Sequence, residues 1–303
     1  MVVGWLDKKG IKVKEIIVAL VTPFDEEDKI NYSVLDSIIE YNVNQGADGF
    51  FVGGSAGEGM LLTLDEKVSL FEYLSKYNGD YKLIANISSL GTKEAIYLAK
   101  KAKELNYYAV SSLIPYYYKH SMESIVKYYM EIMDAVDLPM LIYNFPINSG
   151  VYLDLDDTNV IALLKDKRVF GIKHTNRDLY EMERIMRINP DLSMYNGYDE
   201  VYLNALPLNI KGAIGSTFNV TTPMFKAIGE LYEQGKIEEA LKLQREANIL
   251  MDAFIKVGLI PAIKYALETI GFEAAKPRLP FMELDNDSKT YLEGVLNKYL
   301  NKL

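Results

Sequence analysis

The sequence predicts an α/β protein with a TIM (β/α)8 barrel and a C-terminal helical extension. Eight short apolar segments alternate with segments of helical periodicity, which is typical of parallel strands joined by helices. After Asn219 only helical periodicity remains. The 303 residues, 49% of them hydrophobic, can form one large core. We expect a single domain over residues 1–303, with the barrel over about 12–234 and the helical region packed on it over about 235–303.

The predicted strands are compact and rich in Val, Ile, Phe or Tyr, as strands buried on both faces usually are. They are Ile16–Thr22, Gly49–Val52, Lys82–Ile87, Ala109–Ile114, Pro139–Tyr143, Val169–Lys173, Leu192–Asn196 and Ala213–Ser216. Thr63 and Glu66 have the spacing of a capping box at a helix start. The predicted helices are Asn31–Asn44, Thr63–Tyr77, Thr92–Leu105, Ser121–Ala135, Thr158–Leu164, Leu179–Ile188, Pro223–Gln234, Ile237–Lys256, Ile260–Thr269 and Asp287–Leu303.

An open, doubly wound sheet is the alternative fold. It would carry a glycine-rich dinucleotide fingerprint after an early strand, with an acidic residue about 20 positions later. The early glycines lie in Gly53–Gly59 and do not form that fingerprint. The closed barrel is therefore the favoured prediction.

The composition excludes several kinds of chemistry. The chain has no cysteine and two histidines, which excludes disulfides and thiolate chemistry and argues against a metal centre. A net charge of −9 argues against nucleic-acid binding. The start of the chain lacks the features of a signal peptide, and no apolar run reaches the length of a membrane span. We expect a cytoplasmic protein whose chemistry uses lysine, tyrosine, carboxylates, hydroxyls and backbone groups.

Lys173 is the strongest single candidate for a reactive residue. Active sites of such barrels lie at the C-terminal ends of the strands, and Lys173 ends the apolar segment from Val169. Loss of water around a lysine amine favours its neutral, nucleophilic form, which can form a Schiff base with a carbonyl substrate. A lysine that extends to solvent is the alternative interpretation.

Other strand ends carry weaker signals. Tyr143 could relay a proton or be a core tyrosine. Ser55 lies in a glycine-rich turn that could bind a carboxylate or be only a tight turn. Asp199 and Glu200 could accept hydrogen bonds from hydroxyl groups, or they could be the acidic first turn of a helix. His120 and His174 are expected to be structural or peripheral.

Taken in order, these strand-end motifs resemble the pyruvate-dependent class I aldolase family, which includes N-acetylneuraminate lyase and dihydrodipicolinate synthase. The resemblance covers about residues 12–300. It rests on Ala19–Asp25, Gly53–Glu58, Tyr143–Pro146, Gly171–Thr175 and Gly212–Thr217.

The resemblance implies a role for each matching residue. Lys173 would form the Schiff base with pyruvate, without a metal or organic cofactor, and Tyr143 would relay protons. Ser55 and the amide of Ala56 would hold the pyruvate carboxylate. Tyr117 would reach into a neighbouring subunit's site, which implies a homotetramer built as a dimer of dimers.

Within the family, the sequence is most similar to the N-acetylneuraminate lyases. Asn148 stands where dihydrodipicolinate synthases usually carry an arginine, and Tyr195–Glu200 resembles the segment with which the lyases bind the sugar tail. The resemblance then implies cleavage of N-acetylneuraminate to N-acetylmannosamine and pyruvate. It also implies contacts to the substrate tail from Thr175, Gly197, Asp199, Glu200 and Ser216.

Three positions depart from the lyase pattern: Ala56 in place of a threonine, Ile260 in place of an aromatic residue, and His174 beside the lysine. They leave the exact sugar acid open. Three other interpretations of the function therefore stay open. They are another pyruvate-dependent aldolase or synthase of the family, a non-catalytic sugar-acid binding protein, and a phosphate-binding barrel enzyme.

Overall fold

The eight strands form a closed, parallel barrel in the order of the sequence, which confirms the predicted fold class. The computed structural model describes residues 14–273 and 275–300. The predicted positions 12, 13 and 301–303 lie outside this part of the chain. The strands are β1 (Glu15–Ala19), β2 (Gly49–Val52), β3 (Lys82–Asn86), β4 (Ala109–Leu113), β5 (Met140–Asn144), β6 (Val169–His174), β7 (Ser193–Asn196) and β8 (Gly212–Gly215).

Six of the described helices begin with a side chain that accepts a hydrogen bond from the first turn. Asn31, Thr63, Ser121, Asp157, Asp178 and Asp285 act as such caps, and Thr63 with Glu66 forms the predicted capping box. The helices are α1 (Tyr32–Asn44), α2 (Leu64–Leu74), α3 (Thr92–Glu104), α4 (Met122–Ala135), α5 (Pro146–Ser149), α6 (Thr158–Lys165), α7 (Leu179–Ile188), α8 (Tyr202–Ala205), α9 (Phe218–Glu233), α10 (Ile237–Val257), α11 (Leu259–Thr269) and α12 (Asn286–Tyr299). In the described part of the chain, no helix is long and apolar enough to cross a membrane.

Helix α9 begins five residues before the predicted start at Pro223. The prediction placed the proline in the first turn, where its missing N–H has no cost. In the structure Pro223 lies inside the helix, so the carbonyl of Asn219 loses its usual N–H partner. The side-chain amide of Asn42, from α1, donates to that carbonyl at 3.3 Å. The helix therefore tolerates the proline because a distant residue supplies the missing donor.

The contacts within the chain divide it into two compact units. The first unit holds the residues up to Asp48, the segment Ala56–Glu58 and the residues from Asp199 onward. It contains β1, β8 and helices α8–α12. The second unit holds Gly49–Ser55 and Gly59–Tyr198, and it contains strands β2–β7.

A fully buried ion pair in the first unit joins Glu58 to Lys264 of α11. The side chains are 0% and 1% exposed, respectively. The Lys264 amine also donates to the carbonyls of Thr22 and Lys276, each at 2.6 Å. The backbone N–H of Arg278 donates to Oε2 of Glu58 at 2.8 Å. The ammonium therefore has three oxygen neighbours, and the carboxylate lies next to the ammonium and an N–H donor, which offsets the cost of burying both charges.

This ion pair attaches the segment Ala56–Glu58 to the C-terminal helices of the same unit. Burial raises the pKa of Glu58 and lowers that of Lys264 to about 8, so each charge depends on its partner. The neighbouring carbonyl of Gly57 accepts a hydrogen bond from Thr22 Oγ1 at 2.8 Å. The segment is thus held at two successive residues, at the backbone of Gly57 and at the side chain of Glu58.

We expect Lys264→Met to lower the free energy of unfolding by about 3–5 kcal/mol, because the Glu58 charge stays buried without a partner. The double variant Glu58→Gln/Lys264→Met should recover part of this loss because it buries no charge. Urea unfolding measures both changes. As a control, Lys226→Met removes a more exposed pair with Asp48 and should cost about 1 kcal/mol or less. A double variant that is less stable than Lys264→Met would contradict this expectation.

Candidate functional site

The second unit places Lys173 and Tyr143 side by side at the ends of β6 and β5. The two residues are register partners across the parallel ladder. Lys173 is 4% exposed and Tyr143 is 3% exposed. The apolar residues of both strands fix the strand backbones. The amine and the phenol therefore belong to residues that are neighbours across the ladder. An amine and a phenol are therefore brought together at the ends of two neighbouring strands.

The amine of Lys173 lies against the faces of two aromatic rings. Its Nζ is 4.2 Å from the ring centre of Tyr143 and 4.4 Å from that of Phe51. The two rings meet edge to face at 5.6 Å. Across residues 14–273 and 275–300, no carboxylate forms an ion pair with this amine. The ring faces therefore hold the end of the lysine side chain in place without a charged partner.

The turn that carries Ser55 is held by a chain of hydrogen bonds through β3 and β4. The N–H of Leu113 donates to Ser88 Oγ at 2.7 Å, and the Ser88 hydroxyl donates to Asn86 Oδ1 at 2.7 Å. The Asn86 amide then donates to the carbonyl of Gly53 at 2.8 Å. Ser55 itself is exposed. Sequence reasoning missed Asn86 and Ser88, although both are polar residues at the end of an apolar strand.

Gly54 in the same turn leaves space for the ring that contacts the lysine. A Cβ at this position would lie 2.5 Å from Cε1 of Phe51 and 2.6 Å from its Cδ1. Any larger residue would therefore displace the ring that lies against Lys173. The glycine acts here through close packing, and the sequence alone suggested only a tight turn or an anion site.

Three buried side-chain oxygen atoms lie at the ends of β5, β6 and β7. Thr175 Oγ1, Asn144 Oδ1 and Asn196 Oδ1 are buried and have no hydrogen-bond partner within the described residues. Gly197 lies against this threonine, since a Cβ on Gly197 would lie 3.0 Å from Thr175 Cβ and 3.1 Å from its Cα. Because buried polar atoms are rarely left unpaired, these groups are available to a partner from outside the chain, either water or a ligand.

His174 is fully buried beside Lys173 and has a structural environment. Its Nε2 donates to the carbonyl of Asp178 at 3.1 Å, and its Nδ1 accepts from the Asn144 amide at 3.3 Å. Burial lowers the pKa of His174, while the nearby Glu181 opposes this shift. The Asn144 amide also donates to Glu181 at 3.2 Å. A neutral histidine therefore helps to orient Asn144, as expected for a structural residue.

In the first unit, Asp199 is held by the start of α9. Its Oδ2 accepts from the N–H of Thr217 at 3.1 Å and from the Thr217 hydroxyl at 2.6 Å. Asp199 is 1% exposed. The absence of a side chain at Gly215 leaves room for the Asp199 carboxylate. A Cβ on Gly215 would meet Oδ1 of Asp199 and would also lie 2.6 Å from the Phe218 ring. The carboxylate is thus more deeply buried than the sequence suggested.

The remaining candidates of the first unit are Glu200, Ser216 and Ala56. Glu200 and Ser216 are partly exposed, and Ala56 is buried. The carbonyl of Ser216 accepts from the Asn219 amide at 2.7 Å, and the carbonyl of Glu200 accepts from Asn248 at 3.2 Å. These contacts fix backbone atoms and leave the hydroxyl of Ser216 for other partners.

Tyr117 of the second unit is set apart from these groups. It is 81% exposed and has a φ of +74°, an uncommon conformation for a bulky residue. Its ring contacts Tyr118 edge to face at 4.9 Å. The structure therefore does not bring Tyr117 into contact with Lys173 or Tyr143 of the same chain.

Comparisons with known proteins agree with these features. The dihydrodipicolinate synthetase family matches residues 12–299. An N-acetylneuraminate lyase from Rhizobium meliloti is 36% identical over 277 residues, which cover 91% of each chain.

Two solved structures illustrate the range of the similarity. CdNal from Clostridium difficile, in complex with mannosamine, has a TM-score of 0.90 and 38% identity, covering 94% of this chain and 99% of that one. A dihydrodipicolinate synthase from Bacillus anthracis has a TM-score of 0.89 but only 28% identity, covering 95% and 98%. The fold is thus common to both activities, while the sequence is closer to the first. The chain belongs to the dihydrodipicolinate synthetase family.

Proposed function

We propose that this protein is an N-acetylneuraminate lyase, which reversibly cleaves N-acetylneuraminate to N-acetylmannosamine and pyruvate. The observation that carries the proposal is the buried amine of Lys173 between two aromatic rings, with Tyr143 beside it on the next strand. The similarity to relatives named N-acetylneuraminate lyase supports the choice of substrate.

The proposed reaction begins when the Lys173 amine attacks the C2 ketone of the open-chain sugar acid. Loss of water gives an iminium, which withdraws electrons from the neighbouring carbons. Tyr143 accepts the proton of the C4 hydroxyl as the C3–C4 bond breaks, which releases the aldehyde of N-acetylmannosamine. The bonding electrons form an enamine. Protonation at C3 and addition of water then release pyruvate and restore the free amine, so no cofactor is consumed.

The substrate would be held at two ends. The hydroxyl of Ser55 and the amide of Ala56 would bind the carboxylate, as hydrogen-bond donors in a glycine-rich turn can. Thr175, Gly197, Asp199, Glu200 and Ser216 would contact the hydroxylated tail. The unpartnered Thr175 hydroxyl and the buried Asp199 carboxylate support this part of the proposal.

A dihydrodipicolinate synthase activity is less favoured. Its substrate carries an additional carboxylate, and Asn148 of this chain offers no positive charge at the expected position. Pyruvate release from N-acetylneuraminate, measured beside pyruvate consumption with an aldehyde that carries a carboxylate, compares these activities directly.

The same proposal includes a homotetramer in which Tyr117 completes a neighbour's site. The exposure of Tyr117 supports a role outside its own chain. Light scattering of the purified protein measures the oligomeric state, and a monomer with full activity would contradict this role. A cytoplasmic location stays a prediction from the sequence.

We expect sodium borohydride to attach pyruvate covalently to Lys173, because it reduces the iminium to a stable amine. Peptide mass spectrometry should find the adduct at Lys173 and at no other lysine. Lys173→Ala should lose both the adduct and the cleavage of N-acetylneuraminate. An active Lys173→Ala variant would contradict the proposed mechanism.

We expect Tyr143→Phe to separate Schiff-base formation from carbon–carbon cleavage. The variant keeps the ring that lies against Lys173, so borohydride should still trap pyruvate. Cleavage should fall by about 10²–10⁴-fold, because the group that accepts the C4 proton is lost. Tyr107→Phe is the control, since Tyr107 is equally buried and its hydroxyl donates to the carbonyl of Phe71. Equal cleavage rates for the two variants would contradict the role of Tyr143.

A further inference from the structure

Two side chains of α10 contact the backbone of the turn Asp199–Val201 within the first unit. Gln244 donates from Nε2 to the carbonyl of Asp199 at 3.0 Å. Asn248, one helical turn later, donates from Nδ2 to the carbonyl of Glu200 at 3.2 Å. The two carbonyls of the acidic pair therefore accept hydrogen bonds from the same helix.

Gln244 makes three hydrogen bonds in this cluster. Its Oε1 accepts from the N–H of Leu203 in α8 at 3.0 Å, and its second Nε2 hydrogen is donated to Asn248 Oδ1 at 2.8 Å. Gln244 is 2% exposed. Short helical turns leave their terminal carbonyls and N–H groups without internal partners, so this buried amide satisfies groups that would otherwise be unpaired.

The acidic turn is thus fixed from two directions. Thr217 of the loop before α9 holds the Asp199 carboxylate through its N–H and its hydroxyl. Gln244 and Asn248 hold the carbonyls of Asp199 and Glu200. Because backbone and carboxylate are held by different elements, loss of the α10 contacts leaves the carboxylate attached while the turn can shift.

We propose that Gln244 is a positioning residue that sets specificity for substrates with a hydroxylated tail. It would act through the backbone of Asp199 and Glu200, the residues proposed above to contact that tail, so the inference rests on the proposed function. The reacting carbons are handled by Lys173 and Tyr143, which Gln244 does not contact. Its effect should therefore depend on the length of the substrate.

Three variants separate the contacts. Gln244→Leu removes the donor and the acceptor while it keeps the side chain similar in size. Gln244→Glu keeps an acceptor for the Leu203 N–H but places a carboxylate oxygen beside the carbonyl of Asp199. Asn248→Ala removes only the hydrogen bond to Glu200 and its link to Gln244.

The experiment compares kcat/KM for two substrates that share the same reacting carbons. One is N-acetylneuraminate, and the other is 4-hydroxy-2-oxopentanoate, which has no hydroxylated tail. We expect Gln244→Leu to lower the first value by about 10–100-fold, since small displacements of a positioning group have effects of this size, and to change the second by about twofold or less. Gln244→Glu should resemble Gln244→Leu, and Asn248→Ala should show a smaller change in the same direction.

Leu292→Ala is the control for a general loss of stability. Leu292 is a fully buried residue of α12 in the same unit, and its truncation should destabilise the protein without changing the ratio between the two substrates. Borohydride trapping over a range of pyruvate concentrations provides a second readout. Half-maximal trapping should occur at the same pyruvate concentration in Gln244→Leu and in the unmodified protein.

The outcomes separate the two proposals. An unmodified protein that neither traps pyruvate nor cleaves N-acetylneuraminate would refute the proposed function itself. If the unmodified protein does both, an unchanged substrate ratio in Gln244→Leu would overturn the role of Gln244 alone. A shift of pyruvate trapping in Gln244→Leu would also overturn it, because the effect would then not be confined to the substrate tail.

Discussion

The contact of a buried amine with two aromatic rings is the interaction on which the candidate chemistry depends. The Lys173 amine lies against the rings of Phe51 and Tyr143, which hold it in place without a charged partner. The position of the Phe51 ring requires Gly54, and the turn that contains Gly54 is held through Asn86. The surroundings of the Lys173 amine thus give a structural role to Gly54 and Asn86, which their residue types alone do not indicate.

The first unit holds its buried charges in a different way, through an ion pair and through hydrogen bonds within the protein. Lys264 satisfies Glu58 and two carbonyls, and Asp199 is held by Thr217. Desolvation makes an unpaired charge costly, so these pairs hold their segments in one position. Helices α10 and α11 therefore also position other segments of this unit, since α11 holds the side chain of Glu58 and α10 holds the carbonyl of Asp199.

Hydrophobic periodicity predicted the eight strands and the long helices, because alternating buried strands and amphipathic helices have distinct patterns. It also placed Lys173 and Tyr143 at strand ends, and the strand ends of one barrel meet at the same rim. It could not predict that α9 continues before Pro223, because the donor that makes this tolerable comes from Asn42 in α1. The short helices α5 and α8 were missed because four residues are too few to show a period.

The sequence by itself determined the class of fold and the chemical groups available to this protein: a nucleophilic amine, a phenol and a glycine-rich turn, without any thiol. Those properties follow from local patterns and from residue types. Only the tertiary structure decided which groups are held and by what. The roles of Asn86, Gly54 and Gln244 depend on hydrogen bonds and close contacts between residues far apart in the chain. Such contacts exist only after folding, so no local pattern in the sequence records them.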